Sequence, residues 1–226
     1  MKKRVYATTV AVLLVTGLAL AGQTHGQEND ASFFKSEARA KDDAEQKVLD
    51  VLNDMEKVGR RMLSVPMDDG RFLRLMAESM GAQHVVEIGT SHGASAIWFC
   101  LALRKTGGKL TTYEIDEDRA KIARENFKRA GVEDIVTLVL GDAHEEVTKL
   151  TGSIDILFLD ADKKGYIDYL NKLLPKVRPG GLVIAHNITP RMADPLFLEA
   201  ITNNPELESL VVRLQAGGIS VSLKKR

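Results

Sequence analysis

The sequence predicts an α/β domain built on a mostly parallel sheet with helices packed around it. Five short apolar runs, at His84–Ile88, Leu110–Ile115, Ile135–Leu140, Ile154–Leu159 and Leu182–Ala185, alternate with helix-like segments. Strands that alternate with helices form βαβ units and lie parallel. Composition agrees: 44% of residues are hydrophobic but only 5% aromatic, the aliphatic bias of strands buried on both faces. The chain then closes on two runs, Leu210–Leu214 and Ile219–Leu223, separated by Gln215-Ala216-Gly217-Gly218, which is turn chemistry for an antiparallel pair. A chain of 226 residues is long enough for one domain with a sizeable core.

In chain order, Lys2, Lys3 and Arg4 precede an apolar stretch from Ala7 to Ala21 that ends on Ala19-Leu20-Ala21. A basic start, an apolar stretch short for a spanning helix and small residues at its end are the layout of a secretory signal over residues 1–21. This predicts a periplasmic or secreted protein; association with a membrane follows only if the signal stays uncleaved. Residues 22–42 are polar, lack apolar periodicity and read as a linker. From Asp43, Val48, Leu49, Leu52, Met55, Val58 and Met62 recur at three- and four-residue steps, one face of a helix reaching Leu63. A second helix is expected over Gly70–Met80, burying Phe72, Leu73, Leu75, Met76 and Met80, with Asp68 or Asp69 as its cap. Later helices are expected at Ala94–Arg104, Asp118–Ala130, Ala143–Leu150, Tyr166–Val177 and Asp194–Asn203. Lys plus Arg and Asp plus Glu both number 31, so no basic excess marks a nucleic-acid surface. The single cysteine, Cys100, lies in an apolar run and reads as a small buried hydrophobe.

The ends of the first three strands carry ligand chemistry. Glu87-Ile88-Gly89-Thr90-Ser91-His92-Gly93-Ala94-Ser95 closes the first strand and opens a helix. Gly89 and Gly93 allow a tight turn and close backbone approach to a ligand. Their G-x-x-x-G spacing differs from the G-x-G-x-x-G of dinucleotide enzymes, so no pyrophosphate cradle is implied. Glu114, at the end of the second strand, can accept hydrogen bonds from both hydroxyls of a ribose. Asp142, after the third, can accept from an adenine amino group. Either acid alone could equally be a helix cap or a solvated strand end. Three such ends along one crevice favour the ligand. His92, in the glycine turn, reads as a spacer of the backbone.

These segments, together with Phe158-Leu159-Asp160-Ala161-Asp162-Lys163, resemble the catechol and caffeoyl-CoA O-methyltransferase family, and Leu214–Ser220 is similar to its closing hairpin. The resemblance runs from Val65 to Lys225. It implies a Rossmann-like methyltransferase fold: a mostly parallel seven-stranded sheet with an antiparallel final hairpin and helices on both faces. It implies S-adenosylmethionine bound across Glu87, Gly89, Ser95, Glu114, Asp142, Ala143 and Asp160, and a small aromatic, catechol-like substrate. It also implies a homodimer as one use of the helix at Asp43–Leu63; covering the sheet is the other. A cofactor made inside cells stands in tension with an export signal.

The resemblance further implies a divalent cation, usually magnesium, held by an acid after the fourth strand and an Asp-Asn pair after the fifth. Asp160 matches the acid and Lys163 the lysine that takes the substrate's proton. The fifth-strand pair reads His186-Asn187. Magnesium prefers all-oxygen surroundings, whereas Asp160, His186 and Asn187 together would suit a transition metal. An altered metal site is therefore the first expectation, with Lys163, Asp160 and His186 as the catalytic set. Two alternatives stay open: no metal with His186 as general base, and His186 satisfying a hydrogen bond at a strand end. Tyr166 matches a tyrosine near the family's site or packs beneath the following helix. Asp162 and Lys164 either join the site or form an exposed charged turn. Asn187–Pro195 is expected to line the substrate entrance. A rival from another class is an exported ligand-binding protein that keeps the fold without turnover.

Overall fold

The strands form as β1 (His84–Ile88), β2 (Lys109–Glu114), β3 (Val136–Leu140), β4 (Ile154–Leu159), β5 (Val177–His186), β6 (Leu207–Val212) and β7 (Ile219–Lys224). In this computed structural model they make one seven-stranded sheet in the order β3-β2-β1-β4-β5-β7-β6. The structure describes residues 36–58, 64–189, 191–214 and 217–226, and the compact unit spans Ala38–Arg226. The expected signal over 1–21, most of the linker, Met62 and the turn residues Gln215 and Ala216 lie outside the described residues. Among the described residues no helix is long and apolar enough to cross a membrane.

β1 pairs in parallel with both β2 and β4, so the chain builds outward to β3, returns, and builds the other way. Loops leaving the carboxyl ends of β1 and β4 therefore diverge and open a crevice at that edge. β5 continues the parallel set, and β7 pairs antiparallel with both β5 and β6. β4 is buried along its whole length. Its alternate residues serve two cores, Ile156 and Phe158 on one face, Leu157 and Leu159 on the other. This two-faced burial requires helices on both sides of the sheet, as expected.

On the first face lie α1 (Asp43–Val58), α2 (Met67–Ser79), α3 (Ala94–Thr106) and α4 (Glu117–Ala130). The second carries α5 (Ala143–Glu146), α6 (Tyr166–Leu173) and α7 (Pro195–Thr202). α3 is buried from Ala94 through Leu103 because the sheet covers one side and α1 and α2 the other. Gly70 permits that closeness: a Cβ there would collide with the Trp98 indole. Asp116, Asp142 and Asp194 cap α4, α5 and α7 by accepting from Arg119, His144 and Leu196 backbone N–H groups.

Several expectations are corrected. α2 starts at Met67, three residues early, with Pro66 at the cap position and no side-chain cap. Asp68 and Asp69 therefore sit inside its first turn. Leu75 and Val58 are exposed rather than buried, because each lies off the stripe facing α3 and the sheet. α6 ends at Leu173 in a short 3-10 turn, and β5 begins at Val177. Arg178-Pro179-Gly180-Gly181 reads as a loop in sequence, yet it enters the strand with a register irregularity beside Ile154–Ile156.

Asp155 ties this irregular start to the rest of the sheet. Its Oδ2 accepts from the N–H of Gln83 and of His84 at 2.7 and 2.8 Å, and its Oδ1 from Arg178 Nε. Burial disfavours its charge, but the Arg178 side chain and the two backbone donors outweigh burial and hold the carboxyl below its usual range. Asp155→Ala would leave those donors without an acceptor and is expected to cost about 2–4 kcal/mol of stability. Urea denaturation at pH 7 measures this, and a loss within error of zero contradicts the assignment.

Candidate active site

The crevice at the carboxyl ends of β1 and β4 contains a cavity of about 1160 Å³, whose walls include Gly89, Ser95, Glu114, Asp142, Asp160 and Lys163. Its first wall is the turn after β1. Gly89 has φ 97°, and a Cβ there would stand 2.5 Å from the Asp160 backbone oxygen. Only glycine lets the two loops touch. Ser91 is also left-handed, with φ 48°, and its N–H donates to Glu114 Oε2 at 2.6 Å. Glu114 Oε1 accepts from the Ile115 and Asp116 N–H groups at 3.1 and 3.0 Å. With three backbone donors seated, one of a carboxylate's roughly four acceptor positions faces outward. Ile115, expected as strand core, is 70% exposed because β2 ends at Glu114, which puts Ile115 on the lip of the cavity.

Glu87 occupies a different place from the one expected. Its side chain is fully buried beneath the turn, where Oε1 accepts from Ser95 Oγ at 2.5 Å and Oε2 from Thr112 Oγ1 at 2.6 Å. Burial raises its pKa to about 8 despite those two hydroxyls, and the charges of Asp160 and Glu114 push the same way. Glu87 thus braces the glycine turn through Ser95 and does not line the cavity. On the opposite wall Asp142, which lines the cleft beside Ala143, accepts from the His144 N–H through Oδ1 at 2.9 Å. His92 accepts from Asn126 through its backbone oxygen, consistent with a backbone role.

The cavity floor holds a chain of charges. Lys163 Nζ donates to Asp160 Oδ1 at 3.0 Å and to Tyr166 Oη at 2.6 Å, and Tyr166 in turn donates to the Leu159 backbone oxygen at 2.8 Å. Tyr166 therefore seats the lysine while it packs edge-on against Phe197. Asp162, which accepts from Tyr169 Oη, sits on the exposed turn with Lys164. Asn187, left-handed at φ 62°, donates from Nδ2 to Asp160 Oδ1 at 3.3 Å. His186 Nδ1 lies 3.1 Å from Asp160 Oδ2, and its Nε2 lies 2.8 Å from Oδ2 of Asp69. Burial would lower the His186 pKa, but the two carboxylates reverse that and raise it to about 9. Burial likewise opposes the charge on Asp160, yet His186 and Lys163 hold its carboxyl below the usual range.

This geometry corrects the metal role expected for His186. A ring that donates from both nitrogens has no lone pair for a cation, and none with which to act as a general base. Asp160 is likewise engaged, by Lys163, Asn187 and His186. The donor set does not fit a divalent metal. Asp69 was missed in the sequence. It lies 117 positions from His186 and carries only the signal of an acid in a helix's first turn.

Comparison with known proteins agrees with this architecture. The O-methyltransferase family profile matches residues 38–191. The chain is 36% identical to a catechol O-methyltransferase of Niastella koreensis over 145 residues, 62% of this chain and 65% of that protein. It is also 36% identical to a catechol O-methyltransferase of Mycobacterium tuberculosis over 129 residues, 56% of this chain and 57% of that one. The matches span less than two thirds of the length of these curated relatives. A Bacillus cereus O-methyltransferase solved in complex with SAH superimposes with a TM-score of 0.72 at 26% identity, covering 87% of this chain and 97% of that one.

The raised pKa of Glu87 sets a pH dependence. The folded state keeps the proton that the unfolded chain releases near its ordinary value of 4.5, so stability falls as pH rises from there toward about 8. Glu87→Gln, which mimics the protonated acid, should flatten this slope in thermal melts between pH 5 and 8. A variant with the wild-type slope contradicts the buried, proton-holding Glu87.

Proposed function

The chain belongs to the O-methyltransferase family, and on that premise we propose that it transfers the methyl group of S-adenosylmethionine to a hydroxyl of a small, catechol-like aromatic. The observation that carries this reading is one cleft that joins the glycine turn, Glu114 and Asp142 to the Asp160–Lys163 pair. Its volume exceeds the roughly 300–1,000 Å³ of most small-molecule sites, enough for a cofactor and a substrate together.

The residues suit this cofactor. The remaining acceptor capacity of Glu114 would take the ribose hydroxyls and Asp142 the adenine amino group, while Gly89 keeps the glycine turn against the Asp160 backbone. Ser95 keeps the turn in shape through Glu87. When bound, S-adenosylmethionine supplies a methyl carbon on a sulfonium centre.

Lys163 handles the proton. Its amine nitrogen stands in the cleft, where it can meet the hydroxyl of a bound phenol. As a free amine, Lys163 takes the phenol proton, and Asp160 and Tyr166 hold the resulting ammonium beside the phenolate. The phenolate, held beside the Lys163 ammonium, would face the methyl group that a bound S-adenosylmethionine would supply. Alignment of oxygen, carbon and sulfur by the cleft walls supplies much of the remaining rate. Asn187 and Met192 line the cleft, and Met192 is exposed, which supports a substrate entrance on this side.

Lys163→Met should lower kcat for catechol methylation by about 10²–10⁴-fold, with the KM for S-adenosylmethionine unchanged. Unchanged kcat contradicts the proton role. For localisation we retain the export reading of residues 1–21: mature protein starting at Gly22 in a periplasmic fraction is expected, and full-length protein confined to the cytosol overturns it.

A further inference from the structure

Asp69 stands outside the strand-end machinery, on α2, yet it is buried to 1% exposure against His186. Its place is built. Gly70, the next residue, lets α2 close on the Trp98 ring, and that approach carries the Asp69 carboxylate onto Nε2. Asp69 Oδ1 has no hydrogen-bond partner among the described residues, so no other donor there shares its charge with the ring. A carboxylate buried in this way calls for a cation. His186 Nδ1 meets a second carboxylate, that of Asp160, at 3.1 Å. Two acceptors, one at each nitrogen, require a ring with two N–H groups.

We propose that the His186 ring, clamped as a cation between Asp69 and Asp160, takes the place of a bound divalent metal, so that the site works with charges supplied entirely by its own chain. Each carboxylate at the ring thus meets a nitrogen of His186, and Asp160 meets Lys163 as well. The histidine at the fifth strand end offers no oxygen ligand, and Asp69 fixes its ring. His186 is thus a positioning residue: it holds Asp160 Oδ2, so that Oδ1 faces Lys163 in the cleft.

The inference rests on the methyl-transfer reading, but its test reads metal binding directly and so fails independently of it. Full-length protein is freed of metal with chelator and titrated with Mn²⁺, free ion being counted by electron paramagnetic resonance. Wild type is expected to show no saturable site, and its catechol methylation should be the same with and without chelator. His186→Asp, which provides an oxygen ligand beside Asn187 and removes the internal cation, should bind Mn²⁺ on the order of 10- to 100-fold more tightly than wild type. A stoichiometric wild-type site that weakens in His186→Ala overturns the proposal, as does methylation abolished by chelator and restored by Mn²⁺. A second measurement on unaltered protein covers the case in which a variant does not fold. The ring ¹⁵N resonances of His186 should stay in place when Zn²⁺ is added, whereas loss of one N–H with a shift of that nitrogen refutes the proposal.

Discussion

The contact between Gly89 and the backbone of Asp160 governs the rest of this site. β1 and β4 are neighbours in the sheet, and the Asp160 N–H donates to the Ile88 oxygen at 2.9 Å just where the two chains leave it. Past that bond the loops must diverge, one toward α3 and the other toward α6, yet they stay in touch because residue 89 has no Cβ. The glycine turn and the acid–lysine pair therefore become walls of one cleft. A side chain at position 89 would part them and separate the two halves of the chemistry.

Around that contact, charge is handled by pairing or by protonation, as burial demands. Glu87, enclosed by Ser95 and Thr112 without a cation, keeps its proton toward neutral pH. Asp160, at the cavity and flanked by Lys163 and His186, is held below the usual carboxylate range. Glu114, held by three backbone N–H groups, is fixed in direction with acceptor capacity to spare. Three acids within one crevice thus do three jobs: the first braces, the second orients a cation, and the third remains able to take a ligand. Their surroundings separate these roles.

Much of this was legible in the sequence where the information is local. Strand positions followed from apolar runs, and the caps at Asp142 and Asp194 sit beside the helices they start. Gly89 and Glu114 were found because strand ends on one edge of a parallel sheet must converge, and Asp160 and Lys163 through the family resemblance of the segment that holds them. Long-range pairings were not legible. Asp69 looked like a cap because nothing near it in sequence announces His186, and α2 takes its position from Gly70 meeting Trp98. Glu87 was assigned to the ligand because its strand end was right, but side chains alternate across a strand and its carboxylate turns beneath the loop. Arg178–Gly181 read as a loop because Pro and Gly discourage strands, whereas Asp155 holds Arg178 against the sheet.

Calorimetric titration of S-adenosylmethionine into the full chain tests the central claim most directly, because every role assigned above presumes that the crevice holds this ligand. The account predicts saturable binding at one site per chain, clearly weakened by Glu114→Ala while the fold is retained by circular dichroism. Absence of saturable heat from well-folded protein, or binding that Glu114→Ala leaves unchanged, would contradict it.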